Sequence, residues 1–161
     1  MKHLGILFTT LMMIGALAQA DSASLDAALL DGYRPVQVEL TRDNYDGAKA
    51  LVTPLAKSVQ SWLEEKGTAD AQTANVKVMA EGTDKMSGAH DIAELRSGFA
   101  VLSRGIVEFV RPSADLKAKW QLFFCPMAPE YGFWVQPMGE KLQNPYFGAE
   151  MLTCGTKKKW N

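Results

Sequence analysis

The stretch Asp91–Pro112, DIAELRSGFAVLSRGIVEFVRP, decides how the chain is to be read. Ile92, Leu95, Phe99, Leu102, Ile106 and Phe109 step by three and four residues without a miss. That repeat lines side chains along one face of an α-helix. Asp91 with Glu94 three residues on has the form of a capping box, and Pro112 stops the run. A helix with a single apolar face needs apolar partners, so the stretch asks for further helices.

Two upstream stretches answer it. Leu25, Leu29, Tyr33, Val36 and Leu40 share one face, with Pro35 expected to kink or split the helix. Tyr45, Ala48, Val52, Leu55, Val59 and Trp62 share another, with Asp43 expected as N-cap, Gly67 as stop and a bend at Pro54. The expected fold is therefore mainly α. It is an antiparallel bundle of three to four helices with an irregular Cys/Met-bearing C-terminal segment. Residues 67–88 are polar and Ala-rich, and read as a connection with a short helix around Asn75–Ala80. Over Lys117–Phe124 two periods compete: Trp120, Leu122 and Phe124 alternate as in a strand, while Leu116, Trp120 and Phe123 fit a helix. Phe133–Val135 reads as one strand of a hairpin, and Ala149–Leu152 as a turn of helix.

The chain has 161 residues, the length of one domain, and a net charge of −1. Without excess Lys and Arg to meet phosphates, the charge argues against a nucleic-acid or polybasic membrane role. The basic run Lys157–Lys159 reads as a solvated tail. Residues 1–20 read as a secretory signal peptide: a weakly basic start, an apolar run from Leu4 to Leu17 that is too short to span a membrane, and the small-x-small site Ala18-Gln19-Ala20. The mature domain is then 21–161, beginning at Asp21, with no membrane span and no cysteine at the junction for a lipid. Its expected destination is the bacterial periplasm, an oxidising compartment.

Both cysteines and three of the methionines fall between Cys125 and Gly155. Cys125-Pro126-Met127 held extended sets its two sulfur side chains on one side. Met151-Leu152-Thr153-Cys154 on a helical turn sets both on one face. Together Cys125, Met127, Met151 and Cys154 would offer two thiolates and two thioethers, soft donors that select monovalent copper. Met138 is a further sulfur in the same region, and His90 the one imidazole of the mature chain. Three other readings stay open: a Cys125–Cys154 disulfide in an exported protein, a zinc site of the two cysteines with His90, and methionines that only pack against aromatic rings.

Cys125-Pro126-Met127-Ala128, Trp134-Val135-Gln136, Asn144-Pro145-Tyr146-Phe147-Gly148, Met151-Leu152 and Cys154-Gly155 together resemble the signature of a bacterial exported family, domain of unknown function 3347. Asp91-Ile92, Arg96, Phe99 and Leu102-Ser103 are similar to that family's helical pattern. The resemblance covers most of the mature chain and is densest in its last thirty residues; Pro137-Met138-Gly139 lies outside it. Members of the family occur alone or fused to periplasmic adaptor subunits of heavy-metal efflux systems. The resemblance thus implies copper or related metal handling, with a metal ion and an efflux adaptor as partners, and establishes no ligand set.

The remaining motif residues have structural roles to fill. Asn144-Pro145 starts a turn, Gly148 takes a positive φ and Gly155 ends the turn from Met151. Arg96 reads as a hydrogen-bonded anchor for carbonyls of the C-terminal segment or for a carboxylate, and Ser103 as a second bond to that segment. Trp134, Tyr146, Trp120 and Tyr131 read as core. No nucleophile has a recognisable base and no Gly-x-Ser-x-Gly or His-Glu-x-x-His is present, so the expected function is not enzymatic.

Overall fold

The computed structural model describes residues 10–160, with side chains from Ser24 onward. Of the expected leader, residues 1–9 lie outside the described residues and 10–20 are described only as helix backbone. Among the described residues no helix is long and apolar enough to cross a membrane.

The chain is mainly helical. Helix α1 (Thr10–Thr41) is followed by α2 (Tyr45–Lys66), α3 (Thr73–Gly88), α4 (Ile92–Val110) and the short α5 (Ala114–Lys119). Strands β1 (Trp120–Phe124), β2 (Phe133–Pro137) and β3 (Thr156–Lys158) then form one antiparallel sheet in the order β2-β1-β3. Short connections make successive helices neighbours, α1 on α2, α2 on α3 and α3 on α4.

The expected stripes are the buried faces. Ala48, Val52, Leu55, Val59 and Trp62 of α2 are buried, as are Leu95, Phe99, Leu102, Ile106 and Phe109 of α4. Asp91 caps α4 by accepting from Glu94 N at 2.8 Å, while the Glu94 carboxylate takes the N–H of His90. Helix α1 continues through Pro35 as a single element, so the expected split does not occur. The cap of α2 is one residue later than expected. Asn44 accepts from Gly47 N at 3.1 Å, whereas Asp43 lies outside the helix with φ +57°.

Residues 67–88 hold far more helix than a short piece around Asn75. Helix α3 runs for 16 residues and buries Thr73, Val76, Met79, Gly82, Thr83 and Met86. Its close approach to α4 rests on glycines: a Cβ on Gly82 would lie 2.6 Å from Leu102 Cα, and one on Gly98 2.8 Å from Met86 N. Lys49 closes its C-terminus by donating to the carbonyls of Met86, Ser87 and Ala89 at 3.0, 2.7 and 2.6 Å.

The ambiguity over Lys117–Phe124 resolves within that stretch, helix to Lys119 and strand from Trp120. The sheet meets the bundle edge-on. Val135 N donates to Tyr33 Oη of α1 (3.4 Å), and Ser103 Oγ of α4 donates to Phe133 O (2.9 Å). Side chains thus occupy the edge of β2 where another strand would pair. Tyr33 stacks on Phe99 at 5.4 Å between ring centres, and Phe99 meets Tyr146 edge-on at 5.7 Å. These rings carry the core from bundle to sheet.

Candidate soft-metal site

The antiparallel register of the sheet builds the site. Phe123 lies opposite Trp134 and Phe124 opposite Phe133 on β2; on β3, Phe124 lies opposite Thr156. Cys125 follows β1 directly and only Gly155 separates Cys154 from β3, so the β1–β3 pairing draws the two together from 29 residues apart. Their Sγ atoms stand 3.1 Å from each other, both as thiols.

Each cysteine sits on its own turn. Cys125 N donates to Gly132 O (2.9 Å), the last rung of the hairpin, and Ala128 N returns to Cys125 O (3.4 Å) around Pro126 and Met127. On the other side a 3-10 helix, Gly148–Met151, precedes a turn in which Cys154 N donates to Met151 O at 2.9 Å. Asn144 holds this second turn from within: its N–H donates to Leu152 O (2.7 Å) and its amide to Cys154 O (2.8 Å), while its own oxygen accepts from Tyr146 N (2.8 Å). Gly155 has φ +140°, and a Cβ there would stand 2.8 Å from the Trp134 ring. Only glycine lets the chain pass over that indole.

Glutamines of the sheet hold the segment that follows β2, residues 138–155, against it as a covering segment. The Gln136 amide donates to Lys141 O and its oxygen accepts from Gln143 N and from the Trp134 indole, each at 3.0 Å. Gln121 donates to Pro137 O (2.9 Å) and Glu140 O (2.7 Å). Tyr146 donates to Phe133 O at 2.6 Å, and burial holds its phenol well above the ordinary range.

Arg96 is the anchor that its position asked for. It donates to Pro145 O (3.0 Å) and Leu40 O (2.9 Å) and pairs with the Asp43 carboxylate at 2.5 Å. Asp43 in turn accepts from Ala149 N at 2.9 Å. The Arg96 bond, then the Ala149 bond, keep the Asp43 carboxyl below its usual range. Gly148, at φ +55°, fits against this pair as the sequence required.

Burial is unequal across the sulfurs. Cys125 is fully buried and Cys154 half-buried, so the pair meets solvent through Cys154. The Cys154 thiol is pushed above its ordinary range, first by its hydrogen bond to Cys125 and then by lost hydration. Met127 is 61% exposed in the turn after Cys125, and Met151 half-buried in the turn before Cys154. Met138 is exposed and accepts a long contact of 3.9 Å from Lys157 Nζ. His90 is exposed at the start of α4. Among the described residues no three His, Cys, Asp or Glu side chains gather to hold a metal, so two cysteines and His90 do not form a zinc site.

The sequence reading gives no bonding role in this region to Tyr33, Gln121 or Gln136, although Gln136 stands in the signature Trp134-Val135-Gln136. Tyr33 belongs to a regular apolar stripe, and nothing in that pattern marks its hydroxyl. The two glutamines carry a usable signal: a buried amide in an otherwise apolar strand must bond something. No family model, no curated protein and no solved structure matches the chain.

Proposed function

We propose that this chain is an exported, non-enzymatic binding protein for monovalent copper, held through Cys125 and Cys154. One observation carries the reading: two thiols on separate turns stand 3.1 Å apart, with Cys154 half-buried and a methionine on each turn. Deprotonated, the pair supplies charged soft donors that suit monovalent copper better than hard cations. Met127 and Met151 are the neutral donors nearest in the chain to each cysteine. The resemblance to domain of unknown function 3347 supplies the setting, copper buffering or transfer to a heavy-metal efflux adaptor in the periplasm.

A second reading is a metal-free interaction module stapled by a Cys125–Cys154 disulfide, docking on an efflux or cell-envelope partner. The complete burial of Cys125 favours it, since a buried sulfur beside its partner suits a structural bridge. Copper titration of the reduced chain against a chromogenic copper(I) chelator separates the two. The copper reading expects one ion per chain, lost in Cys125→Ser and in Cys154→Ser and only weakened in Met127→Leu and Met151→Leu. Equal copper retention in both serine variants would place the site elsewhere. No retention by the reduced wild type would leave the stapled module.

A further inference from the structure

We infer that the sulfur pair is a redox gate on copper loading, entered through Cys154, and not a bond the fold depends on; this rests on the copper reading above. Three observations carry it.

The first is proximity with unequal access. Cys125 is wholly buried and Cys154 is not, yet their sulfurs stand 3.1 Å apart. A small disulfide such as oxidised glutathione meets Cys154 first. Cys154 gives up its proton to solvent, its sulfur attacks one sulfur of that disulfide, a mixed disulfide forms on Cys154, and one glutathione leaves as thiolate. The Cys125 sulfur, as thiolate, then attacks Cys154 Sγ and expels the second glutathione. The oxidant gains two electrons and becomes two thiols; the protein loses two protons and two electrons and holds the Cys125–Cys154 bond.

The second is that the covering segment is already held without that bond. Arg96 on Pro145 O, Tyr146 on Phe133 O, and Gln136 on Lys141 O and Gln143 N tie it to bundle and sheet by four hydrogen bonds, and Asn144 on Leu152 O and Cys154 O braces it from within. The third is that no buried side-chain nitrogen or oxygen among the described residues lacks a partner. The thiol form is thus complete in its buried polar side-chain contacts without that bond. What changes on oxidation is ligand capacity: both thiolates vanish, and with them the charged donors that copper needs.

By linkage, bound copper must in turn protect the pair from oxidation. The test uses the purified full chain, copper(I), a chromogenic copper(I) chelator and oxidised glutathione. Reduced wild type should keep copper against the chelator, and the oxidised form should lose it to the level of Cys125→Ser. Preloaded copper should slow disulfide formation. Cys125→Ser should accumulate a glutathione adduct on Cys154, visible by intact mass, while Cys154→Ser stays unmodified. Reduced and oxidised forms should give the same far-ultraviolet circular dichroism and both unfold cooperatively. Copper retained by the oxidised form, an adduct forming equally in both serine variants, or loss of the fold on reduction each overturns the gate. A reduced wild type that yields all its copper sinks the copper reading itself, and is told apart because the adduct and folding measurements proceed without metal.

Discussion

Tyr33 and Ser103, seventy residues apart, share a hydroxyl–hydroxyl hydrogen bond of 3.2 Å, and between them they receive the outer edge of β2. Helices α1 and α4 are thus joined to the sheet by two polar atoms in a buried setting. Tyr33→Phe leaves Val135 N without an acceptor and Ser103→Ala leaves Phe133 O with Tyr146 alone. Each should cost about 1–3 kcal/mol in denaturant unfolding, the loss expected when a buried group is left unpaired. The double variant should cost less than the sum, because both singles break the shared bond. Strict additivity would mean the two hydroxyls act independently.

Alkali should weaken the fold through the buried phenols. Burial raises the pKa of Tyr33 and Tyr146, and lifts Tyr131 to about 12. A phenol with a folded-state pKa above its unfolded value of about 10 keeps its proton natively after the unfolded chain has lost it. The stabilisation is therefore complete below about pH 10 and declines as pH rises through the folded value. Urea midpoints taken across this range should fall with pH. The fall should be shallower in Tyr33→Phe and in Tyr146→Phe, and an unchanged slope in both would remove the phenols as its cause.

Acid should act at the Arg96–Asp43 pair. The depressed Asp43 carboxyl contributes stability above its unfolded pKa of about 3.9, and this is lost as pH falls through the lower folded value. Asp43 is 42% exposed, so solvent screens the effect and its size is small. Asp43→Asn should be less stable than wild type near neutrality, and the gap should close in strong acid. A gap independent of pH would assign the loss to the bond with Ala149 N.

Packing gives the largest expected losses. Phe99 is fully buried between Tyr33 and Tyr146, so Phe99→Ala should cost about 3–5 kcal/mol. Gly82→Ala sets a methyl against the Leu102 backbone, which no rotamer change relieves. A loss of about 1–3 kcal/mol is expected from such overpacking. Thermal unfolding of the two variants checks both values, and a neutral Gly82→Ala would mean that α3 slides freely along α4.

Helices α2 and α4 were legible because their apolar residues recur at a single period. Helix α3 was not, because its buried positions include Gly82, which lies against α4, and Thr83. Small residues allow close backbone approach and look like a linker in the sequence. Strand β3 was hidden for the opposite reason: Thr156, Lys157 and Lys158 are all exposed, and a strand without a buried face has no pattern to read. The closeness of Cys125 to Cys154 was expected from their chemistry. The pairing that produces it, Phe124 opposite Thr156, joins distant segments and leaves no local trace.

That register also orders the folding of the chain. Helices α1 to α4 meet their sequence neighbours and can assemble as each is synthesised. The β1–β3 pairing closes a loop of more than thirty residues and needs almost the whole C-terminus, with its loop-closure entropy met last. Cys125 therefore meets Cys154 only when the end of the chain has been made. Pulse-labelling during refolding should show Cys154 protected from thiol reagents later than the amides of α2 and α4, and protection of Cys154 ahead of those amides would reverse the order.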